Sequence, residues 1–453
     1  MSVLESAQAL AFFLLVVFLA YVSVIMVPFL RRRPDPEGMP EIFEWHVFIP
    51  CRDEETVIGT TLARLREQFP EAHVWVVDDA SDDETAGIVQ HAGEADPLVH
   101  LVRRFRPAAR TGKGDALNEA YRALDSWLPS GTDRDSVIVV VLDADGLLAG
   151  NAFRQAAGPL AFGDREVGAA QAAVWMSNVD DPVLKTGKGF ARARHACSRY
   201  LILMQDIEFR TTIAAMQSLR RHTLTVGLGG NGQFTRLSAL DTIAETSGQP
   251  WHGALLEDYE LAIHVMVSGY KTVYMHDTHV SQEALPGLRR LITQRTRWCH
   301  GGMQCSSYLG RIFDSPYFSN IGAIESSYFL VQPFIQMLGL VLWPALFITM
   351  VAQGSLTMGG FEAWLAASWF IVPLIIATGI APFALWGPVY RKQAASDKSR
   401  LLGVLWGLGY WAYMYLNYVS VLRATYRLVT GRDGWAKTRR NNENDSRLLA
   451  KET

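Results

Sequence analysis

Residues 137–145 read VIVVVLDAD, a run of apolar and mostly β-branched residues that ends in two acids. Such a run is typical of a strand that is buried on both faces of a sheet. Similar runs lie upstream at 46–50 (HVFIP) and 74–79 (VWVVDD), and helix-length segments such as 55–68 and 115–127 intervene. This alternation predicts an α/β domain with a mostly parallel sheet that is covered by helices on both faces.

The apolar residues of the chain are concentrated at its two ends. Of the 453 residues, 49% are apolar and only 19% are charged, whereas soluble domains carry roughly 25% charged residues. Residues 8–30 contain no charge and exceed the roughly 20 residues that span a bilayer. Because Arg31, Arg32 and Arg33 follow this run instead of preceding it, we expect an uncleaved anchor whose C-terminal side is cytoplasmic.

Three further apolar segments, at 325–351, 362–388 and 401–424, reach spanning length. The connection 389–400 is basic and 352–361 contains no Lys or Arg, so the positive-inside rule places 389–400 in the cytoplasm. Three crossings after a cytoplasmic domain would leave the tail outside, although the tail itself is basic. The number of crossings therefore stays open between a missed crossing and a segment that is re-entrant or interfacial.

These segments divide the chain into five parts. They are an anchor at 1–33, a cytoplasmic α/β domain at 34–285, amphipathic interface helices at 286–320, membrane helices at 321–430 and a cytoplasmic tail at 431–453. The net charge of −3 argues against a nucleic-acid-binding protein, which usually has a basic domain. Four scattered cysteines are too few for a disulfide scaffold. We expect a multi-pass protein of the plasma or inner membrane.

Acidic residues follow the predicted strands. The second strand runs into Asp78 and Asp79, and the third runs into Asp143 and Asp145. Since Asp143 and Asp145 are two positions apart, we expect their side chains to share one face of the strand. Two carboxylates in that arrangement can hold Mg²⁺ together with substrate phosphates. The alternative is that these acids form turns or helix N-caps.

Two glycine-containing motifs allow more than one interpretation. Residues 111–118 (TGKGDALN) are not a P-loop, because position 107 is Pro and no Ser or Thr follows Lys113. Lys113 beside a helix start would neutralise a diphosphate, or it is a surface lysine in a turn. Residues 227–232 (GLGGNG) match GxGxxG, which makes a nicotinamide-dependent oxidoreductase a second enzyme hypothesis. That match lies in mid-domain and lacks the acid that binds the ribose.

Two candidate sites precede the second apolar block. Glu257 and Asp258 stand at the start of a predicted helix, where acids are favoured by the helix dipole and where one of them could also be a general base. Gln294, Arg297 and Trp298 share one face of an amphipathic helix. This face is typical of an interfacial helix with a Trp anchor, and it fits a binding surface equally well.

Six short motifs follow one another in a fixed order. They are DDAS (78–81), GKGDALN (112–118), DAD (143–145), GNG (230–232), LED (256–258) and QRTRW (294–298). With the membrane layout, this set resembles membrane-embedded family 2 glycosyltransferases, which include the synthases of cellulose, chitin, hyaluronan and poly-N-acetylglucosamine. The resemblance covers roughly residues 45–310. It implies a GT-A-type nucleotide-sugar-binding domain and an inverting displacement at the anomeric carbon of the donor sugar.

The resemblance also implies which residues bind the donor. The residues implied to bind the nucleotide-sugar are Asp78, Asp79, Lys113, Asp143 and Arg297. The first two would contact the uridine of a UDP-sugar, and Lys113 would contact its diphosphate. Asp143 and Asp145 would hold Mg²⁺ or Mn²⁺, which neutralises charge on the leaving nucleoside diphosphate.

The same resemblance implies a catalytic and an acceptor side. Asp258, next to Glu257, would be the base that deprotonates the acceptor hydroxyl. The residues implied to contact the acceptor are Gln294, Trp298, Gly230 and Asn231. The acceptor would be a glycan or a lipid.

The QxxRW signature at 294–298 is typical of processive members, so we expect a polymerase that extends a glycan and passes it outward. The alternatives are transfer of one sugar to a lipid acceptor and, outside enzymes, a transporter or receptor. The segment WAKTRR (435–440) resembles the gating loop FxVTxK of cellulose synthases, with Trp435, Thr438 and Arg440 at matching positions. A second copy of the chain or an export partner would complete a small translocation channel.

Overall fold

The computed structural model describes residues 3–182, 184, 189–395 and 397–432, so the predicted gating residues Trp435, Thr438 and Arg440 lie outside the described residues. Within the described residues, eight strands form one sheet in the order β3-β2-β1-β4-β7-β6-β8-β5. The strands are β1 (Glu44–Cys51), β2 (His73–Asp79), β3 (Val99–Arg104), β4 (Val137–Val141), β5 (Leu147–Leu148), β6 (Val167–Met176), β7 (Gln233–Arg236) and β8 (Lys271–Gln282).

The helices precede, separate and follow these strands. They are α1 (Val3–Arg31), α2 (Ile58–Gln68), α3 (Thr85–Ala95), α4 (Lys113–Trp127), α5 (Ala152–Ala156), α6 (Gly189–Ile207), α7 (Ala214–Thr223), α8 (Leu237–Ser247), α9 (Glu257–Val267), α10 (Leu288–Cys305), α11 (Leu309–Asp314), α12 (Asn320–Thr357), α13 (Phe361–Ala367), α14 (Ile371–Ala394), α15 (Arg400–Met414) and α16 (Leu416–Val429). A π-helical turn, Glu208–Ile213, joins α6 to α7.

The half of the sheet around β1 is parallel, which confirms the prediction for this part. β1 pairs in parallel with β2 and β4, and β2 pairs in parallel with β3. Beyond β4 the sheet becomes mixed, because β7 is antiparallel to both β4 and β6. The start of β7 therefore lies at the edge where β1, β2 and β4 end, and the loop before β7 meets the loops that follow those strands.

Two apolar layers cover the sheet because successive side chains of each buried strand point to opposite faces. Val47 and Ile49 of β1 belong to the layer that contains Leu62 of α2. Phe48 belongs to the opposite layer, together with Leu117 of α4 and residues of α8 and α9. This arrangement fixes the ends of the strands, and the ends carry the acids noted in the sequence.

Three helices of the described residues, α1, α12 and α14, are long and apolar enough to cross a membrane. α1 and α12 contain the predicted segments 8–30 and 325–351, and α14 covers the predicted segment 362–388 only from Ile371 onward, since its start lies in α13. The third C-terminal segment, 401–424, is instead divided between α15 and α16 and is not among these helices. Of the three C-terminal segments of spanning length, whose number of crossings the sequence leaves open, two therefore correspond to candidate spans within the described residues.

The break between α15 and α16 explains this difference, because the two helices have 15 and 14 residues, fewer than the roughly 20 that span a bilayer. Two tyrosines of α15 are buried, and their hydroxyls bond to the π-helical turn. Tyr410 Oη donates to Thr212 Oγ1 at 2.9 Å, and Tyr413 Oη donates to Glu208 Oε2 at 3.0 Å. The sequence of α15 is apolar enough to resemble a membrane span. The helix nevertheless buries two tyrosines against the α/β domain, so it does not face lipid on all sides.

Two buried ion pairs attach the α/β domain to the C-terminal helices. Arg295 of α10 donates to both carboxylate oxygens of Glu208, at 3.1 and 2.6 Å. Nε of Arg220 in α7 donates to Glu325 of α12 at 2.7 Å. Removing one partner of such a pair costs roughly 3–5 kcal/mol because the other charge stays buried. These pairs therefore hold α10 and α12 in fixed positions against the domain.

Candidate active site

A cavity of about 580 Å³ opens at the edge of the sheet where β1, β2 and β4 end. Asp79 lines it after β2, and Asp143 and Asp145 line it after β4. Lys113, at the start of α4, and Asp258, in the first turn of α9, line the same space. Residues from separate sequence motifs are thus brought together, as expected at the carboxyl ends of strands in an α/β sheet.

Asp143 and Asp145 lie in a turn and not on a strand, because β4 ends at Val141. The backbone N–H of Gly146 donates to the carbonyl oxygen of Asp143 at 2.8 Å and closes this turn. The expectation that the two side chains share a strand face is therefore wrong, although both residues line the cavity. A Cβ at Gly146 would lie 2.7 Å from Oδ1 of Asn231 and 2.7 Å from Cδ1 of Leu142, so any other residue there would displace these side chains.

Lys113 connects the turn after β4 to the loop before β7. Its Nζ donates to Oδ1 of Asp143 at 2.6 Å and to the carbonyl oxygen of Gly230 at 2.5 Å. Burial disfavours the charged ammonium, but Asp143, Glu257 and Asp258 outweigh this effect and raise its pKa above the ordinary value. Lys113 is therefore a fixed positive charge in the cavity wall, and not the surface lysine of the alternative interpretation.

Asp258 has the environment of a general base. Its Oδ1 accepts a hydrogen bond from the backbone N–H of Tyr259 at 2.7 Å. Burial and then the charge of Glu257 raise its pKa to about 7, against the opposing effects of Lys113 and Arg297. A carboxyl group with a pKa near neutrality can take up a proton from a substrate and release it again at physiological pH.

Gly230 stands where Lys113 approaches the two acids at the start of α9. A Cβ at Gly230 would lie 2.8 Å from Nζ of Lys113, 3.2 Å from Oδ2 of Asp258 and 3.7 Å from Oε1 of Glu257. The backbone of Gly230 can come this close to a lysine and two carboxylates because it carries no side chain. The GKG, GNG and LED motifs therefore meet at one point.

Two glutamines that the sequence analysis did not single out fix the loop before β7. Gln171 accepts from the backbone N–H of Gly229 at 2.7 Å and donates to the carbonyl oxygen of Asn231 at 2.9 Å. Gln282 accepts from Nδ2 of Asn231 at 2.9 Å. Oδ1 of Asn231 accepts from the backbone N–H of Asp143 at 3.2 Å. In the sequence, Gln171 could have been recognised as a single amide side chain within the apolar run that forms β6.

Asp78 and Asp79 point to opposite faces of β2, because neighbouring strand residues alternate. Oδ1 of Asp79 accepts from Nη1 of Arg104 at 2.5 Å and from the backbone N–H of Arg110 at 2.9 Å, and Asp79 lines the cavity. Asp78 is buried, accepts from the backbone N–H of Ser81 at 3.2 Å and is not among the described cavity-lining residues. The expectation that both acids contact the nucleoside stays a prediction.

Gln294, Arg297 and Trp298 line the cavity from α10, on the face that their spacing predicted. The guanidinium carbon of Arg295 lies 4.5 Å from the centroid of the Trp298 ring. Phe209 meets the same ring edge-on, with 6.2 Å between the two centroids. These contacts fix the indole ring in the wall, and the binding roles of the three residues stay predictions.

The far end of the cavity lies among the C-terminal helices, which the sequence analysis did not connect with the site. Its lining there includes Phe329, Gln332, Pro333 and Gln336 of α12, Tyr410 and Met414 of α15, and Asn417, Ser420 and Val421 of α16. Gln332 and Gln336 are four residues apart on an apolar helix and therefore share one face of it, which lines the cavity. The cavity thus joins the carboxylates to membrane-length α12.

The predicted cation site consists of Asp143 and Asp145. The described residues contain no group of three or more His, Cys, Asp or Glu side chains that could hold a metal ion. Mg²⁺ is, however, commonly held by one or two carboxylates with substrate phosphates. Two carboxylates in one cavity-lining turn fit this requirement, with the remaining positions left to the substrate and water.

Residues 44–301, more than half of the chain, match the family described as "Glycosyltransferase like family 2". The chain belongs to this family. Beta-monoglucosyldiacylglycerol synthase of Synechocystis sp. is 28% identical over 264 residues, which are 57% of this chain and 47% of that protein. Undecaprenyl-phosphate mannosyltransferase of Micrococcus luteus is 40% identical over 98 residues, 22% of this chain and 36% of that protein. The chain spans about half the length of the curated glucosyldiacylglycerol relatives.

The fold also has a counterpart among solved structures. A mannosyltransferase from Pyrobaculum calidifontis, solved in complex with GDP-Man and Mn²⁺, superposes with a TM-score of 0.57 at 19% identity. The superposition covers 95% of this chain and all of that chain. It supports the GT-A-type fold of this family 2 glycosyltransferase.

The oxidoreductase hypothesis is wrong, as both the family membership and the local geometry of residues 227–232 indicate. A dinucleotide-binding GxGxxG motif needs a strand before it and a helix N-terminus after it. Residues 227–232 are followed by strand β7, so no helix N-terminus is available to bind a pyrophosphate there. The glycines instead allow the loop to approach Lys113 and the acids of α9.

We expect Gly230→Ala to fold and to lose most sugar transfer. The new methyl group would displace the flexible end of Lys113 and break its bonds to Asp143 and to the carbonyl of residue 230. The matched control is Gly229→Ala, because a Cβ at 229 would meet Gln171 at an ordinary 3.6 Å. Initial rates and thermal unfolding are measured for both variants. Equal rates in the two variants would contradict the role assigned to Lys113.

We expect kcat/KM to rise with pH through about 7 and to fall about tenfold per unit below it, because the base must be ionised. The carboxyl group of Asp258 binds its proton more tightly in the folded than in the unfolded chain, so its ionisation lowers stability as pH rises from about 4 towards 7. Asp258→Asn removes this cost.

The variant Asp258→Asn should therefore be inactive at every pH, and its melting temperature at pH 8 should equal or exceed that of the wild type. A pH-rate profile and a thermal unfolding curve at pH 8 provide the two measurements. A wild-type rate that is flat between pH 5 and 8, or a marked loss of stability in the variant, would remove Asp258 from the catalytic role.

Proposed function

We propose that this family 2 glycosyltransferase transfers one sugar, with inversion, from a nucleotide-diphospho-sugar to a hydroxyl group of a lipid in the membrane. The observation that carries this proposal is the continuity of the cavity, which runs from Asp143 and Asp258 to Gln336 of α12. A water-soluble donor can enter beside the sheet, and a lipid headgroup can enter between the helices. The two substrates then meet at Asp258.

The donor end of the cavity supplies groups for a nucleoside diphosphate. Asp79, Lys113 and Arg297 line the same cavity; Asp79 would contact the nucleoside, and the two cations would face its diphosphate. We propose a UDP-sugar as the donor. The sugar itself is selected by hydrogen bonds in the pocket, which the residue types alone do not specify.

A divalent cation, Mg²⁺ or Mn²⁺, would be held by Asp143 and Asp145 and would neutralise charge on the departing nucleoside diphosphate. The protein's own residues perform the remaining steps. Asp258 accepts the proton of the acceptor hydroxyl, and the oxygen forms a bond to the anomeric carbon. The bond from this carbon to the phosphate oxygen breaks with its electron pair, so the configuration inverts and a nucleoside diphosphate leaves. Lys113 remains charged beside the leaving group.

The charges of the cavity favour an alcohol over a lipid phosphate as acceptor. The described lining includes eight acids and five cations: Glu54, Asp79, Asp143, Asp145, Glu208, Glu257, Asp258 and Glu283, against Arg52, Lys113, Arg220, Arg295 and Arg297. A second phosphate would add negative charge to this acidic space. A phosphate nucleophile is also already ionised at neutral pH, whereas an alcohol needs a base such as Asp258.

The QxxRW signature predicts processive synthesis, whereas this proposal is that the enzyme adds a single sugar. The relatives named above are, by their names, a glucosyldiacylglycerol synthase and an undecaprenyl-phosphate mannosyltransferase, and both names describe transfer to a lipid. The amide side chains of Gln332 and Gln336 supply neutral hydrogen-bonding groups that suit an uncharged headgroup.

We also propose that α1, α12 and α14 cross the membrane and that the α/β domain is cytoplasmic. Arg31, Arg32 and Arg33 follow α1, and α14 ends near Arg391 and Lys392, which is where the positive-inside rule expects cytoplasmic charge. Two crossings after the domain return α15 and α16 to its side, so the basic tail no longer conflicts with the count.

The proposed activity is tested with the full-length protein in nanodiscs that contain diacylglycerol and a polyprenyl phosphate, supplied with labelled UDP-glucose, UDP-N-acetylglucosamine or GDP-mannose. We expect a lipid that carries one sugar through an uncharged glycosidic linkage, identified by mass spectrometry. Asp258→Asn should give no product. A product that contains many sugars would restore the processive interpretation, and a sugar attached only to the polyprenyl phosphate would refute the alcohol acceptor.

A further inference from the structure

A second cavity, of about 820 Å³, lies outside the catalytic site at the end of α1. Its wall combines apolar and basic residues from four parts of the chain. The lining residues from α1 and the segment after it are Val24, Val27, Pro28, Arg31, Arg32, Arg33, Pro34 and Asp35, and the remainder are Leu160, Ser218, Leu219, Arg221, His222 and His276. The cavity therefore begins on a membrane-length helix and ends against the α/β domain.

The basic residues of this cavity exceed its acids. Four arginines line it, together with one acid, Asp35. Arg221 donates to both carboxylate oxygens of Asp35, at 2.5 and 3.0 Å, which satisfies that acid. Arg32 donates to Asp277, just outside the cavity, at 3.1 Å. These two ion pairs hold the segment after α1 against the domain.

Arg31 and Arg33 remain to face a ligand. Across the part of the chain that the structure describes, no acid lies within ion-pair distance of either guanidinium, and both residues are exposed. They are placed by a backbone that the pairs of Arg32 and Arg221 have already fixed. Both residues line the same cavity, so both charges are available to one anionic ligand.

The position of the cavity identifies the ligand. The run 8–30 has no charge, so the arginines that follow it lie at the depth of lipid headgroups. Val24 and Val27 are about half exposed on the adjoining turn of α1, and Leu160 faces them from the domain. A headgroup phosphate beside the arginines with an acyl chain along the valines satisfies both parts of the wall.

We propose that this cavity binds one anionic phospholipid of the cytoplasmic leaflet, with its phosphate at Arg31 and Arg33. The anionic leaflet attracts juxtamembrane basic residues in general. This site differs from that general attraction because it is a cavity of fixed shape, which selects one lipid molecule and retains it. Binding there requires neither the donor nor the acceptor of the catalytic cavity, so it is independent of the proposed reaction.

The test uses the purified full-length protein in nanodiscs of phosphatidylcholine with a minor fraction of phosphatidylglycerol. Native mass spectrometry after partial delipidation counts the lipids that the protein retains. We expect one phosphatidylglycerol per chain in the wild type and an affinity about 30-fold lower in Arg31→Gln/Arg33→Gln, because each basic residue contributes about 1 kcal/mol at an anionic surface.

The matched control is Lys392→Gln/Arg400→Gln, which removes two exposed positive charges beside α14 and α15 but none from the cavity. This control should retain phosphatidylglycerol as the wild type does. Soluble glycerol phosphate should not displace the lipid, because it lacks the acyl chains. An equal loss in both double variants, retention of phosphatidylcholine in place of phosphatidylglycerol, or displacement by glycerol phosphate would each overturn the proposal.

Discussion

The ammonium group of Lys113 is the interaction on which the site depends. It lies between the carboxylate of Asp143, the carbonyl oxygen of Gly230 and the acids at the start of α9. Without this charge, the carboxylates of two motifs would repel one another across the cavity. With it, the turn after β4 and the loop before β7 are held together beside Asp258.

The membrane side of the site depends on a second kind of constraint. The ion pairs Arg295–Glu208 and Arg220–Glu325 are buried, so neither partner can leave without exposing a charge to an apolar environment. Glu208 belongs to a π-helical turn, a feature that often occurs at functional sites. That turn supplies Glu208 and Phe209 to the cavity wall. The helices that would receive a lipid are therefore fixed relative to the base that would activate it.

The sequence predicts the parts of this structure that depend on local pattern. The apolar runs ending in Asp79 and Asp143 mark buried strands, and the period of Gln294, Arg297 and Trp298 marks one helix face. The sequence does not reveal that Gln171 and Gln282 fix the loop before β7. This role arises because β7 is an antiparallel strand inserted between distant parts of the chain. Segment 401–424 has the composition of a membrane span, and composition does not show that it is divided into two helices of 15 and 14 residues.

The most direct test of the account concerns the path of the acceptor. A photo-cross-linking amino acid is placed at Gln336, in the far wall of the cavity, or at Phe347, an exposed residue of the same helix outside the cavity. With labelled diacylglycerol in nanodiscs, position 336 should cross-link to the acceptor in a reaction that excess unlabelled diacylglycerol suppresses, and position 347 should react with bulk lipid without such competition. No acceptor cross-link at 336, or identical behaviour at both positions, would contradict a cavity that carries a lipid from the membrane to Asp258.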